Sequence, residues 1–159
     1  MTDLYDNWNV WIYENSNDWS KNNLKVIFNI KTIQDFILFD NNLRNNKQNL
    51  LNKHIFIMKN DIVPLWEEKE NKNGGCWTFK ISKYDSLKEF LHLFLLIITN
   101  NFLVENHNNH INGITFCIKN NNCIVQIWNN NYDILKNSNF HFYVREVFGY
   151  NIIYKKHIR

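Results

Sequence analysis

Strand-patterned segments outnumber helical ones in this chain and meet through short turns, which restricts it to an α+β domain with helices on one face of an antiparallel sheet. NWNVWIYE (7–14), LKVIFNI (24–30), HIFIMK (54–59), CWTFKIS (76–82) and NIIYKKHIR (151–159) read as strands. GITFCIKNNNCIVQIW (113–128) reads as a hairpin whose tip is three asparagines. The strongest helix is SLKEFLHLFLLIITNNF (86–102), where Leu87, Phe90, Leu91, Phe94, Leu95 and Ile98 recur at helical spacing and Asp85 or Ser86 can cap. Thr32 caps an earlier helix running to about Asn41, with Ile33, Phe36 and Ile37 on its apolar stripe. NYDILKNSNFHFYVREVFG (131–149) predicts a third helix or helix pair ended by Gly149. No repeat or linker divides the 159 residues, so one domain is expected over 1–159.

Aromatic residues reach 16%, enough for some rings to form working surface rather than core. The net charge of +3, without a long basic run, makes diffuse attraction to phosphates weak, so any recognition of nucleic acid must depend on a pocket. Cys76, Cys117 and Cys123 form an odd set without CxxC spacing, which argues against a disulfide framework or structural zinc and suits reduced thiols of a cytoplasmic protein. No secretory leader follows Met1, and the run Leu93 to Ile98 is too short to cross a bilayer. Asparagine makes up about a fifth of the chain, and its clusters read as turns.

The stretch VPLWEEKENKNGGCW (63–77) carries the sharpest chemistry. Trp66 and Glu67 stand side by side between the only proline and the only Gly-Gly pair, an arrangement suited to a flat, cationic ligand rich in hydrogen-bond donors. A guanine methylated at N7 has that character: two indoles clamp its faces, and a carboxylate takes its N1–H and 2-amino donors. The second indole is expected from Trp19, which lies in a polar loop without apolar periodicity.

The order NWNVWIYE, DWSKNNLKVI, TIQDF, IVPLWEEKENKNGGCW and IVQIW resembles the mRNA cap-binding translation initiation factor 4E family over nearly the whole chain, most specifically in W-E-x-x-x-N-x-x-G-G-x-W at 66–77. The resemblance implies a cupped-hand fold, a curved antiparallel sheet of about eight strands backed by three helices. It implies that Trp19 and Trp66 sandwich 7-methylguanine, that Glu67 reads its edge while the Trp66 backbone N–H reaches O6, and that Trp128 lies against the methyl group. It further implies that Lys119 contacts the cap phosphates and that Trp8, Trp11 and Trp77 are structural. Cys76 and Ile124 stand where the family carries basic residues, and the chain stops at KKHIR where the family has a long C-terminal loop, so Lys155, Lys156 or Arg159 is expected to supply the missing charge. On the back surface that receives a scaffold initiation factor, Ile33 and Ile37 lie on the first helix, with Ile37 in place of the family tryptophan and His92 in place of a leucine. A divergent partner is therefore expected, on a monomer, and the composition suits a viral or parasite copy.

No Gly-rich phosphate loop, G-x-S-x-G or HExxH is present, and His107 and His110 lack acidic or thiol companions. No catalysis, metal or cofactor is expected. The expected function is recruitment of capped mRNA to translation; the alternatives are a cap-sequestering repressor and an interaction protein that kept the fold without the ligand.

Overall fold

The computed structural model describes residues 2–14 and 17–157. Its strands are β1 (Asp3–Tyr13), β2 (Leu24–Thr32), β3 (His54–Lys59), β4 (Gly75–Ser82), β5 (Ile111–Ile118), β6 (Asn122–Asn129) and β7 (Ile152–Lys156). They form one curved, wholly antiparallel sheet in the order β2-β1-β3-β5-β6-β4-β7. The helices are α1 (Ile33–Asn45), α2 (Ser86–Ile98), α3 (Tyr132–Leu135) and α4 (Phe142–Phe148). Among the described residues, seven strands and four α-helices thus stand where about eight and three are expected. Residues 62–65, which lead to Trp66, join no strand, because the Asn71 side chain occupies the Val63 and Leu65 carbonyls that a strand ladder would use.

Thr32 and Asp35 form a reciprocal capping box that starts α1, and Leu43 continues its buried side past Asn41 to Asn45. Neither Asp85 nor Ser86 caps α2 with its side chain; the Ser86 hydroxyl donates to the Lys83 carbonyl instead. That helix stops four residues short of Phe102, since Asn100 turns left-handed (φ 58°) and the Asn101 N–H reaches back to the Leu96 carbonyl. Asparagine tolerates this conformation because its short polar side chain lowers the steric cost of positive φ. Gly149, at φ 33°, ends α4.

Alternate strand positions divide the sheet into two faces. Val10, Ile57, Phe79, Ile114, Phe116, Val125 and Ile127 pack under the helices with Phe90, Leu91, Phe94 and Ile97 of α2. Phe94 is the hub of that core, in ring contact with Trp8, Phe36, Phe39 and Phe90. Trp8 and Trp77 are buried there, whereas Trp11 is half-buried. Each fully buried Leu, Ile or Phe side chain contributes about 1.5–3 kcal/mol, so helix and sheet hold each other mainly through these residues.

The opposite, concave face is set by register. One row runs His54, Cys117, Ile124, Lys80; the next Phe56, Thr115, Gln126, Thr78, Ile153; the third Met58, Gly113, Trp128, Cys76, Lys155. Directly opposed residues on one face stand about 4.5–5.5 Å apart at Cβ, so the first two rows are continuous strips of neighbouring side chains, whereas the third is interrupted at Gly113, where the Met58 sulfur takes the space a side chain would fill.

Candidate functional site

The loop from Asn60 to Gly74 holds Trp66 and Glu67 in solvent, and a buried asparagine sets its shape. Asn71 Nδ2 donates to the carbonyls of Val63 (3.0 Å) and Leu65 (2.8 Å), while its Oδ1 accepts from Asn112 Nδ2 on β5 (2.8 Å). Asn112 also donates to the Glu70 carbonyl at 2.8 Å. With these groups satisfied and Pro64 buried, the next residue outward, Trp66, is left 51% exposed. Gly74 and Gly75 close the loop where no Cβ fits: one on Gly74 would stand 1.8 Å from the Asn129 carbonyl oxygen, and one on Gly75 2.3 Å from that of Lys155.

Trp19, between β1 and β2, is 55% exposed. Its indole leans edge-on against Tyr13 (centroids 4.8 Å apart) and His54 (4.9 Å). The two tryptophan-bearing loops are joined by an ion pair from Lys21 Nζ to Glu68 Oε1 at 2.9 Å. Burial, then the negative charges of Glu67 and Asp18, hold the Tyr13 phenol above its ordinary pKa, which places the Glu67 carboxylate within electrostatic reach of the ring that supports Trp19. The structure thus sets Trp19 against Tyr13 and His54 and ties its loop through Lys21 and Glu68 to the loop that carries Trp66 and Glu67.

Trp128 stands elsewhere on the concave face. It is two strands over and four residues along from His54, roughly 10 Å across and 13 Å along the sheet. It is only 7% exposed, and the His157 ring covers it at 4.9 Å. Contact of Trp128 with a base near Trp19 requires rearrangement, because the C-terminal segment is anchored over it by the His157 N–H to the Gly74 carbonyl.

Burial pushes the His157 pKa down from 6.5 to about 4. The unfolded chain takes up that proton near pH 6.5, so the neutral ring favours the folded state fully above that pH and progressively less as pH falls toward 4. His157→Phe is expected to flatten part of the loss of unfolding free energy across that window in urea titrations; an unchanged slope would mean the ring is solvated.

Lys119 is half-buried beside His54 and Cys117. Burial, then the Lys119 charge, lowers the His54 imidazole pKa, whereas burial raises the Cys117 thiol against the pull of Lys119. Lys155 lies opposite Cys76 on the concave face, and its charge offsets part of the burial that raises that thiol. Lys156, one residue on, projects to the other side, where its ammonium sits 4.5 Å from the Tyr132 ring centroid. Arg159 lies outside the described residues. Cys117 and Cys123 are buried, and burial lifts the Cys123 thiol to about 12. His110 Nδ1 is 2.7 Å from Asn130 Oδ1, and no group of three or more metal-ligating side chains occurs among the described residues.

Residues 3–158 match the family profile described as Eukaryotic initiation factor 4E. The chain belongs to that family. Among curated factor 4E relatives, the one from Aplysia californica is 33% identical over 133 residues, 79% of this chain and 60% of the relative. The Homo sapiens factor 4E is 24% identical over 131 residues, 79% of this chain and 59% of the relative. The chain spans about 60% of the length of the curated factor 4E proteins it matches. Two solved factor 4E structures share its cupped-hand fold. C. elegans eIF4E-3 in complex with the 4E-binding protein Mextli and a cap analog superposes with a TM-score of 0.80 at 18% identity, covering 98% of this chain and 92% of that one. Ascaris suum eIF4E-3 with m7G cap gives 0.67 at 23% identity, covering 82% and 74%.

On the helical back of this factor 4E member, Ile37 is 51% exposed and Ile33 half-buried. His92 is not an open contact: Tyr143 of α4 stacks on it at 3.7 Å and donates its hydroxyl to the buried Glu89 carboxylate at 2.5 Å. Among the described residues no helix is long and apolar enough to cross a membrane.

Proposed function

We propose that this chain is a single cap-binding domain that binds the 7-methylguanosine cap of mRNA in translation initiation, by equilibrium binding and without catalysis. The observation that carries the reading is the solvent-facing pair Trp66 and Glu67 on a loop pinned by Asn71 and tied through Lys21 and Glu68 to the loop of Trp19. Family membership supports it, as do the structural neighbours solved with cap ligands.

In this reading Trp66 and Trp19 stack on the two faces of the methylated base. Glu67 accepts from N1–H and the 2-amino group, and the Trp66 backbone N–H reaches O6. Trp19 leaves its edge contact with Tyr13, at a cost of about 0.5–1.5 kcal/mol. A cation held between two rings offsets that cost more fully than neutral guanine does, because the cation–π attraction adds about 0.5–2 kcal/mol per ring. Lys119 and Lys155 face the phosphates; Lys156 does not, given its place over Tyr132. Trp128 reaches the methyl group only once His157 withdraws.

Titration of tryptophan fluorescence with 7-methyl-GTP and GTP tests the reading. Saturable quenching by the methylated nucleotide at concentrations at least tenfold lower is expected, and equal response to both would refute it. A cap-sequestering repressor is the second reading, favoured by Ile37 on the back surface and by the covered His92. In a cap-dependent translation extract a repressor lowers output, whereas an initiation factor restores it after depletion of the endogenous one.

A further inference from the structure

Charge divides the concave side into two ends. Glu14 and Lys53 line the hollow beside Tyr13 and Trp19 at the β1 end, where the negative charges of Glu67 and Asp18 also act on the Tyr13 phenol, so carboxylates outnumber the lysine there. The three rows of the floor contain no carboxylate; the first ends in Lys80 on β4, the second in Ile153 and the third in Lys155, both on β7. Neither lysine, nor Lys119, forms an ion pair among the described residues. At the Lys80 end a groove of about 530 Å³ has polar walls from Lys80, Ser82, Asn122, Asn151 and Thr78 and apolar ones from three isoleucines, Ile81, Ile124 and Ile153. Its polar side chains donate or accept hydrogen bonds, and its only charge is positive. A ligand with a cationic ring and a polyanionic chain matches this polarity in one orientation, ring at the carboxylates and chain over the lysines.

Register gives the direction of that chain. His54, against which Trp19 leans, begins the row that passes Cys117 beside Lys119, crosses Ile124 and ends at Lys80, three strand spacings or roughly 14 Å away. That reach is long enough to take the chain beyond the base-proximal phosphates.

We propose that the single-stranded RNA following the cap runs along this row, its phosphates meeting Lys119 first and then Lys80 within the groove. The inference rests on the cap-binding reading and extends it: the preferred ligand is a capped oligoribonucleotide rather than the cap nucleotide alone. Ser82, Asn122 and Asn151 offer further hydrogen bonds to phosphate or ribose.

The test compares wild type, Lys80→Ala, Lys80→Arg and Lys155→Ala for binding 7-methyl-GTP, a capped tetranucleotide and the same tetranucleotide uncapped, at several salt concentrations. The wild type is expected to bind the capped tetranucleotide more tightly than 7-methyl-GTP. Lys80→Ala is expected to lose roughly three- to fivefold of the oligonucleotide affinity. It leaves 7-methyl-GTP within twofold, and the logarithmic salt slope falls by about 0.7, the value for one single-strand phosphate contact. Lys80→Arg retains the charge and the increment. The proposal is overturned if Lys80→Ala matches wild type on the oligonucleotide, if it weakens 7-methyl-GTP equally, or if Lys155→Ala alone removes the increment. Failure of the cap reading is distinct: wild type would then not bind 7-methyl-GTP, and the salt slope for uncapped RNA, with and without Lys80, still reads the groove.

Discussion

Trp66→Ala is expected to lower affinity for 7-methyl-GTP roughly ten- to a hundredfold. The indole is half in water and makes no core contact that the fold depends on, so the far-UV circular dichroism and urea midpoint should stay near wild type. The loss then reflects stacking and cation–π attraction alone. Glu67→Gln is expected to weaken binding by a similar factor for a different reason. The amide keeps one acceptor but loses the charge, and it sets an NH2 group against N1–H and the 2-amino group, both of which are donors. The two variants differ in selectivity. Without Trp66, preference for the methylated base over GTP shrinks because its cation term is halved; without the Glu67 charge, both ligands weaken. Titration of each variant with both nucleotides reads this directly. Wild-type affinity in Trp66→Ala, within twofold, would remove the base from this loop altogether.

The largest effect on stability is expected from Phe94→Ala, a loss of about 3–5 kcal/mol. Phe94 is fully buried and touches four other rings, from β1, α1 and its own helix, so its removal opens a cavity where helix layer and sheet meet. Rings held on several sides cannot collapse into that space, which keeps the cost at the upper part of the range for core truncations. Urea unfolding should show a lower midpoint with an unchanged slope, since the surface exposed on unfolding is nearly the same. A loss below about 1 kcal/mol would mean that the layers repack freely and that Phe94 is no hub.

Much of this was legible in the residues. The helical period from Leu87 to Ile98, the alternation in CWTFKIS and the short apolar run in HIFIMK led to the observed elements, because burial on one face, or on both for β3, writes a pattern that survives a composition heavy in asparagine. Trp66 and Glu67 stood out as an aromatic and acidic pair between the proline and the Gly-Gly pair, and Trp19 because its polar loop has no apolar periodicity; all three are exposed. Asn71 was missed although it lies inside the same motif. About a fifth of the chain is asparagine, and one buried amide carries no mark that separates it from the surface ones. Tyr13 and His54 gave no signal either, since their service to Trp19 depends on which strand lies beside which.

By itself the sequence determined that the chain forms an antiparallel sheet backed by helices, and that an acidic and aromatic pair stands in solvent beside a glycine-closed turn. Those properties follow from local periods and from side-chain chemistry confined to a few neighbouring residues. Only the tertiary structure decided that Trp128 lies under His157, that Lys155 faces the concave floor while Lys156 turns to Tyr132, that Tyr143 covers His92, and that Lys80 shares a row with His54. The physical reason is strand register: a shift of one residue sends a side chain to the opposite face, and register is set by pairing between segments far apart in the chain.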